Sequence, residues 1–257
     1  MSRLLFFVNG GLGLEILSEL SKDPSIVIVG VVLNSDEKRN LGYRERVQEI
    51  FNLDKTGLFI WSSDLSSSEG FITALNSAEG GISALFGHKI PSEIFLKLRL
   101  GIINLHPSLL PYGQGADPVP WALIENGQQG ISIHQVDEGI DTGRVLYRKK
   151  INTDISMNAG YIYGVLCTEL LHALLLILPV WRKKELLDVP QVDIKPSHHT
   201  SVELKRLRDL HFCDYPELES VLRRLQALTY ADGRSPTFKS ADNELWTVRV
   251  EIKKVED

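Results

Sequence analysis

The sequence predicts an α/β fold, in which a mostly parallel sheet is flanked by helices and followed by a small C-terminal accessory α+β unit. The apolar run 4–8 leads through a glycine turn into a helix-period stretch with Leu14, Leu17 and Leu20 on one face. The next run, 26–33 (IVIVGVVL), is apolar throughout, as expected of a parallel strand covered on both faces. Strand, turn, helix and strand form a βαβ unit, which favours a Rossmann-like sheet.

Similar patterns continue along the chain. Apolar runs predict strands at 58–61, 82–86, 101–105, 130–136 and 145–151, and helical periodicity predicts helices at 39–51, 92–98, 121–126 and 158–180. A loop-like segment with two prolines precedes a tail with predicted helices at 202–210 and 218–225 and a strand at 246–252. We therefore expect a main domain at 1–188, a linker at 189–200 and an accessory subdomain at 201–257.

Composition and charge exclude several classes of protein. Of 257 residues, 43% are hydrophobic and 24% charged, as in globular proteins, and the net charge of −5 argues against nucleic-acid binding. Two cysteines, Cys167 and Cys213, are too few for a disulfide framework, and their apolar surroundings predict buried free thiols in a reducing compartment. The longest apolar stretch, 170–180, is well short of the roughly 20 residues of a membrane span. We expect a soluble cytoplasmic protein with no membrane partner.

The glycine cluster Gly10-Gly11-Leu12-Gly13 invites comparison with dinucleotide-binding turns. That fingerprint needs a third small residue at 16, where Ile16 stands, and an acidic residue at the end of the second strand, where Asn34 stands. The pattern therefore favours a simple tight turn over nicotinamide or flavin binding.

Two polar side chains, Asn104 and His106, stand at the carboxyl end of a predicted buried strand. They are two residues apart, so both point to the same side of the sheet, and Pro107 ends the strand. Open α/β sheets bind ligands at the carboxyl ends of their parallel strands. Asp141 lies in a loop bracketed by glycines, 137–143, which can bring a carboxylate to the histidine.

Asparagine, histidine and aspartate together suit acyl transfer without a covalent intermediate. Asn104 and a protonated His106 can donate hydrogen bonds to a carbonyl oxygen as it gains negative charge. Asp141 raises the pKa of His106 by charge pairing and can help to move the proton from an attacking amine. Taken singly, each residue could instead cap a strand end or order a loop. No metal is expected, because His106, His134 and Asp141 lack a recognised ligand spacing.

The stretch 104–111, Asn-Leu-His-Pro-Ser-Leu-Leu-Pro, resembles the Asn-x-His-x-Ser-Leu-Leu-Pro signature of the N10-formyltetrahydrofolate-dependent formyltransferase family. The family's Asp-x-Gly loop is matched by Asp141-Thr142-Gly143, and its folate-pocket loop by 86–91. The resemblance covers about residues 1–180. It implies an N-formyltransferase in which Asn104, His106 and Asp141 are catalytic.

The resemblance also implies that N10-formyltetrahydrofolate is the co-substrate, held between the loops 86–91 and 136–141 largely by backbone groups. The residues it implicates are Phe86, His88, Ile90, Val136, Asp137 and Ile140. His88 could instead be an ordinary surface histidine of its loop.

Within the family, the chain most resembles the sugar-nucleotide N-formyltransferases, which have a short tail of this kind. This implies a homodimer that acts on a dTDP- or GDP-linked amino-deoxysugar for lipopolysaccharide O-antigen or related glycan biosynthesis. The residues implicated in substrate binding are Gly10, Tyr112, Gln114, Arg206, Arg208 and Tyr230. Gln114 stands where many relatives carry a basic residue, and Tyr230 also fits a plain turn. Arg223 and Arg224 are expected on a solvated helix face.

Three alternatives stay open on the sequence. The acceptor could be methionyl-tRNA or glycinamide ribonucleotide, the reaction could be hydrolysis of formyltetrahydrofolate, or the chain could be a non-catalytic binding protein on the same fold. The nucleotide base, the sugar and the position of its amine are not determined by the sequence.

Overall fold

The structure, a computed structural model, describes residues 1–34, 43–51, 59–61, 65, 68–153, 157–191, 197–207, 217–239, 243–251 and 253. The strands are β1 (Ser2–Val8), β2 (Ile26–Leu33), β3 (Phe59–Trp61), β4 (Gly80–Ala84), β5 (Ile102–His106), β6 (Gln114–Gly115), β7 (Gln129–Gln135), β8 (Val145–Ile151), β9 (His198–His199), β10 (Thr237–Lys239) and β11 (Leu245–Thr247). The helices are α1 (Gly10–Ser21), α2 (Tyr43–Phe51), α3 (Glu69–Ser77), α4 (Ser92–Phe95), α5 (Pro118–Ile124), α6 (Ala159–Arg182), α7 (Ser201–Arg206) and α8 (Leu218–Leu228).

Seven strands form one sheet in the order β3-β2-β1-β4-β5-β7-β8. β1 pairs in parallel with β2 and β4, and parallel pairing continues outward to β3 and β5. β7 runs antiparallel to β5. The Val136 N–H donates to the Ile102 carbonyl, and His134, two residues before Val136, contacts Asn104, two residues after Ile102. The predicted α/β fold with a mostly parallel sheet is confirmed.

The chain forms two compact units, each assembled from separated stretches. The first contains 1–106, 133–147 and 170–191, and the second contains 107–132, 148–169 and 192–257. Strand β4 is buried along its whole length within the first unit, and β1 is buried except at Arg3. The contiguous division at 1–188, 189–200 and 201–257 stays a prediction.

The strand predicted at 82–86 is displaced to Gly80–Ala84. A Cβ at Gly80 would lie 2.8 Å from the Leu100 Cβ, and one at Gly81 would lie 2.9 Å from the Ile102 Cγ1. Only glycine allows the neighbouring chain to pack so closely, whereas the sequence pattern treats a glycine pair as a break. Leu85 then leaves the strand with a positive φ of 56°.

Two predictions for the later elements are wrong in extent. Helix α5 begins at Pro118, three residues before the predicted start, because proline suits the first turn of a helix. In the tail, β11 covers only Leu245–Thr247, and it pairs antiparallel with β10, which the sequence did not predict.

Helix α6 is 24 residues long and is, among the described residues, a helix with the length and composition to cross a membrane. This is longer than the apolar stretch 170–180 considered in the sequence. Core helices share these properties, and α6 buries nine apolar residues at helical spacing: Ala159, Ile162, Leu166, Leu170, Ala173, Leu174, Ile177, Leu178 and Trp181. Cys167, on this helix, forms no disulfide with any described residue and is half-buried instead of buried. Cys213 lies outside the described residues.

The glycine turn after β1 opens α1 directly at Gly10, which has a φ of 63°. A Cβ at Gly13 would meet the Tyr43 hydroxyl at 2.6 Å and the Val8 Cβ at 2.9 Å. Ile16 is fully buried in the core. Gly13 and Ile16 therefore serve the packing of α1 on its neighbours.

Candidate active site

Two polar side chains lie at the carboxyl end of β5. Asn104 and His106 point to the same side because the strand alternates, and the intervening Leu105 is buried on the other side. His106 is 5% exposed and Asn104 is half-buried. Ser83 of β4 lies opposite Asn104 on one side of the strand.

Asp141 is carried by the loop between β7 and β8. Its φ of 55° is left-handed, a conformation that aspartate tolerates better than most residues. The loop is ordered by Asp137, whose Oδ1 accepts hydrogen bonds from the Gly139 N–H at 3.0 Å and the Thr142 hydroxyl at 2.6 Å. The local turn therefore sets the direction of the Asp141 side chain.

The structure brings the three predicted catalytic residues together around Asp141. Its Oδ1 accepts a hydrogen bond from Asn104 Nδ2 at 3.3 Å, and its Oδ2 lies 3.7 Å from His106 Nδ1. The Asp141 side chain is 13% exposed, so little water screens these contacts. A carboxylate this close to an imidazole favours the protonated ring.

His134 of β7 is a fourth member of the site, which the sequence analysis considered only as a metal ligand. It is 3% exposed, and its Nε2 lies 3.1 Å from Asn104 Nδ2 and 3.3 Å from Asp141 Oδ1. A signal was present, because β7 was predicted as a strand with a histidine in it. The contact itself depends on the pairing of β7 with β5, which the sequence does not state.

Gln191 is a second residue that was missed. Its side-chain nitrogen donates to the carbonyls of Asp141 at 2.6 Å and Gly143 at 3.0 Å. The residue lies in the segment expected to be a linker, 50 residues beyond Asp141, so no local pattern indicated it. These two hydrogen bonds fix the backbone at Asp141 and Gly143, and with it the position of the Asp141 carboxylate.

The site thus combines an amide donor, an imidazole that takes up and releases protons near neutral pH, and a carboxylate that contacts both. An amine that attacks a carbonyl needs a group to receive its proton and donors for the oxygen that gains charge. The geometry is suited to acyl transfer. Among the described residues, no group of histidine, cysteine, aspartate and glutamate side chains is arranged to hold a metal ion.

The residues implicated in folate binding divide into two sets. Phe86, Ile90 and Val136 belong to or pack against one apolar cluster that also contains Ile102, two residues before Asn104 on β5. The other three are polar or exposed. His88 is exposed with its ring 5.6 Å from that of Phe86, Ile140 is 50% exposed, and Asp137 is occupied by the loop hydrogen bonds.

The residues implicated in acceptor binding are spread over the chain. In the first unit, Gly10 begins α1. In the second unit, Tyr112 is 45% exposed, and Gln114 is buried in β6, where its N–H donates to the Ser197 carbonyl at 2.9 Å. Arg206 is exposed at the end of α7, and Arg208 lies outside the described residues.

Tyr230 lies in a tight turn, as its sequence suggested. Its N–H donates to the Arg234 carbonyl at 3.0 Å, and the Arg234 guanidinium stacks on its ring at 4.1 Å. The expectation of a solvated face for Arg223 and Arg224 is wrong for Arg224, which is 6% exposed. Its Nε donates to the Leu207 carbonyl, so the charged group is satisfied inside the unit.

Comparison with known proteins places this chain among formyl transferases. The family model described as "Formyl transferase" matches residues 2–166. A methionyl-tRNA formyltransferase from Halothermothrix orenii is 34% identical over 157 residues, which are 59% of this chain and 49% of that protein. The chain therefore spans about half the length of this relative.

Solved structures share the fold at lower identity. A sugar N-formyltransferase from Shewanella sp FDAARGOS_354 has a TM-score of 0.81 and 19% identity, with all of both chains covered. An N-formyltransferase from Helicobacter canadensis, in complex with folinic acid and dTDP-3-aminofucose, has a TM-score of 0.69 and 16% identity. That match covers 90% of this chain and 82% of the other.

Proposed function

This chain belongs to the formyl transferase family, and on that premise we propose that it is an N-formyltransferase, which transfers a formyl group from N10-formyltetrahydrofolate to the amine of a nucleotide-linked amino sugar. The observation that carries the proposal is the contact of one carboxylate, Asp141, with both Asn104 and His106. His134 contacts Asn104, and Gln191 donates to the Asp141 carbonyl, so two further residues support this arrangement.

In the proposed reaction, the free amine nitrogen forms a bond to the formyl carbon, and the bond from that carbon to N10 of the folate breaks. The amine proton passes to the His106–Asp141 pair, directly or through water, and N10 takes up a proton as it leaves. Asn104 and the protonated His106 donate to the formyl oxygen while it carries negative charge. No covalent enzyme intermediate is needed.

The apolar cluster beside the site supports a folate as the donor. Ile102 and Asn104 are two residues apart on β5, so the cluster and the catalytic amide lie on the same side of that strand. A flat ring seated against Ile90, Phe86 and Val136 would lie next to the reacting groups. The resemblance to the family implies that backbone groups of the loop 136–141 hold its polar edge.

The sugar-nucleotide acceptor is supported by the fold over the whole chain. The Shewanella sugar N-formyltransferase covers all of it, including the part after the family-model match. The Helicobacter protein is bound to a dTDP-linked amino sugar. The net charge of −5 fits a small nucleotide better than a long polyanion. On this proposal Gly10, Tyr112, Gln114, Arg206, Arg208 and Tyr230 remain the residues to examine for the acceptor.

Methionyl-tRNA is the second candidate acceptor, because the curated relatives at 30–34% identity carry that name. Their similarity is confined to part of their length, 49% and 61% respectively. It therefore supports the shared formyl transfer chemistry more than the acceptor.

The test is a transfer assay with the purified protein and N10-formyltetrahydrofolate. Separate reactions contain dTDP-, GDP- and UDP-linked 3- or 4-amino sugars, methionyl-tRNA, glycinamide ribonucleotide or no acceptor, and mass spectrometry detects the formamide. We expect one nucleotide-linked amino sugar to be formylated. Formylation of methionyl-tRNA alone, or release of formate at a rate that no acceptor changes, would overturn the proposed acceptor.

A thermal-shift series, in which Tm is measured with each of the same ligands, identifies the nucleotide base that the protein binds. A ligand that binds only the folded protein at one hundred times its Kd stabilises it by about 2.7 kcal/mol. We expect a folate analogue and one nucleoside diphosphate to raise Tm. We also propose a homodimer in the cytoplasm that contributes to O-antigen or related glycan synthesis, which follows from the resemblance to sugar enzymes; light scattering tests the dimer.

A further inference from the structure

The buried His134 has both of its ring nitrogens engaged. Nδ1 lies 2.8 Å from the carbonyl oxygen of Gln135, and Nε2 lies 3.1 Å from Asn104 Nδ2 and 3.3 Å from Asp141 Oδ1. A carbonyl oxygen can only accept, so the proton must be on Nδ1. A ring with its single proton on Nδ1 accepts at Nε2 from the Asn104 amide, whereas a second proton on Nε2 would be donated to Asp141 Oδ1.

This tautomer decides which way the Asn104 carboxamide faces. An Nε2 lone pair attracts the NH2 group and repels the amide oxygen. The opposite orientation of Asn104 would place two acceptors 3.1 Å apart inside the protein, where an unmade hydrogen bond is costly. The position of the proton on His134 and the direction of the amide are therefore linked.

We propose that His134 is a positioning residue, which holds the Asn104 carboxamide with its nitrogen toward the reacting formyl oxygen. This inference rests on the formyl transfer proposed above and adds a residue to it. One N–H of Asn104 is held by His134 at 3.1 Å, and the nitrogen has its second, longer contact with Asp141 at 3.3 Å. The N–H on the Asp141 side is the one that becomes available to the formyl oxygen when Asp141 Oδ1 engages the amine proton instead.

The backbone around the Gln135 carbonyl supports this role. A Cβ at Gly143 would lie 1.8 Å from the Gln135 oxygen and 3.5 Å from His134 Nδ1. The absence of a side chain at Gly143 lets the loop that carries Asp141 pack against the Gln135 carbonyl, which accepts the hydrogen bond from His134 Nδ1. Gln191 donates hydrogen bonds to the Asp141 and Gly143 carbonyls of the same loop. The loop that packs against the hydrogen-bond partner of His134 is therefore the loop that carries Asp141.

The tautomer is tested directly by 15N NMR of the histidine side chains at about pH 8, above the ordinary titration range of histidine. The chain has seven histidines, and the His134 signals are assigned from their loss in His134→Gln. We expect Nδ1 protonated and Nε2 unprotonated. Protonation on Nε2 overturns the proposal, whatever the acceptor proves to be.

Kinetics of two matched variants test the positioning. Glutamine can place its amide oxygen near the Nε2 position and still accept from Asn104, whereas asparagine reaches only the Nδ1 position. We expect His134→Asn to lower kcat about 100-fold with KM within about twofold, as for misplaced catalytic groups, and His134→Gln to stay within about tenfold of wild type.

Ser132→Ala is the control on the same strand. Its hydroxyl accepts from the Leu110 N–H and donates to the Ser108 carbonyl, so its loss affects stability and not Asn104. Equal loss of kcat in both His134 variants, in proportion to their loss of Tm, would show a structural role and overturn the inference. If wild type formylates no amino sugar, the proposed function fails, while the NMR result still decides the tautomer.

Discussion

Asp141 has two carboxylate oxygens with different partners. Oδ1 contacts Asn104 and His134, and Oδ2 faces His106. Because each of these side chains is either half-buried or buried, their interactions are stronger than they would be in water. The charge of Asp141 therefore influences both His106, the proposed proton carrier, and Asn104, the proposed amide donor.

The charge on Asp141 is predicted to be essential for turnover. Asp141→Asn keeps the shape and removes the charge, so His106 loses the partner that favours its protonated form; we expect kcat to fall by about 100-fold or more, and His106→Asn to do the same. Steady-state kinetics measure this, with circular dichroism to show that the fold is kept.

The matched control is Asp188→Asn, because Asp188 makes an exposed ion pair with Arg144 at 2.7 Å and contacts no catalytic residue in the described contacts. We expect it to behave as wild type. Turnover of Asp141→Asn within about tenfold of wild type would rule out the assigned role.

Gln191 is predicted to matter through the backbone it holds. Gln191→Leu removes two hydrogen bonds to the Asp141 loop, and we expect kcat to fall about tenfold, since small displacements of a catalytic group are costly. Gln191→Glu should be worse, because a carboxylate would face two carbonyl oxygens. Wild-type kcat in Gln191→Leu would show that the loop keeps its place without this residue.

At the scale of single elements, α6 offers two glycines in different surroundings. Gly164 is exposed, and a Cβ there would meet nothing within 4 Å. Gly160 lies against the turn at Tyr230, and a Cβ there would be 3.2 Å from the Ala231 nitrogen. The same substitution should therefore have different effects one helical turn apart.

Gly164→Ala is predicted to stabilise the protein by about 0.5–1 kcal/mol, the difference in helix propensity between glycine and alanine. Gly160→Ala should gain less or lose stability, because the turn at Ala231 must shift. Urea denaturation of both variants measures the difference. Equal gains would contradict the close packing of α6 on this turn.

The start of β1 is joined to the turn before β5 by Glu79. The Arg99 guanidinium donates to Glu79 at 3.0 Å, and the Arg3 N–H donates to it at 3.3 Å. These contacts, the Arg99 hydrogen bond above all, hold the pKa of Glu79 below its ordinary value of 4.5. A lowered pKa in the folded state gives stability that is present above the ordinary value and is lost as pH falls through the lowered one.

Glu79→Gln is therefore predicted to lower Tm slightly at neutral pH, and the difference from wild type should shrink below about pH 4 as the native carboxylate becomes protonated. The effect is small because both side chains are partly exposed to water. Thermal melts of both proteins across this range measure it. A difference that grew toward low pH would contradict the direction of the pKa shift.

At the scale of the whole molecule, the net charge of −5 bears on the choice of acceptor. Enzymes that bind the backbone of a nucleic acid depend steeply on salt, since each phosphate contact releases counterions. A nucleoside diphosphate offers only two phosphates. Salt dependence therefore reports on the kind of acceptor that the chain uses.

We predict that kcat/KM for the acceptor falls by less than about tenfold between 50 and 200 mM salt, against about 1,000-fold or more for a protein with six or more phosphate contacts. The measurement uses the acceptor found in the transfer assay. A steep dependence would favour methionyl-tRNA and overturn the sugar-nucleotide proposal.

The sequence by itself determined what depends on neighbouring residues. Alternation placed Asn104 and His106 on one side of β5, apolar runs located β1, β2 and β8, and the glycine-bracketed loop identified Asp141. These are properties of short segments, because strand alternation and turn chemistry act over a few residues.

The tertiary structure alone decided what depends on pairing between distant segments. His134 reaches Asn104 because of the register of β7 on β5, and Gln191 reaches Asp141 across 50 residues. Gly80 and Gly81 form a strand because Leu100 and Ile102 pack where side chains would otherwise stand. A shift of one residue in the register of β7 would turn the His134 side chain to the opposite face, and register is fixed by packing across the sheet rather than by local pattern.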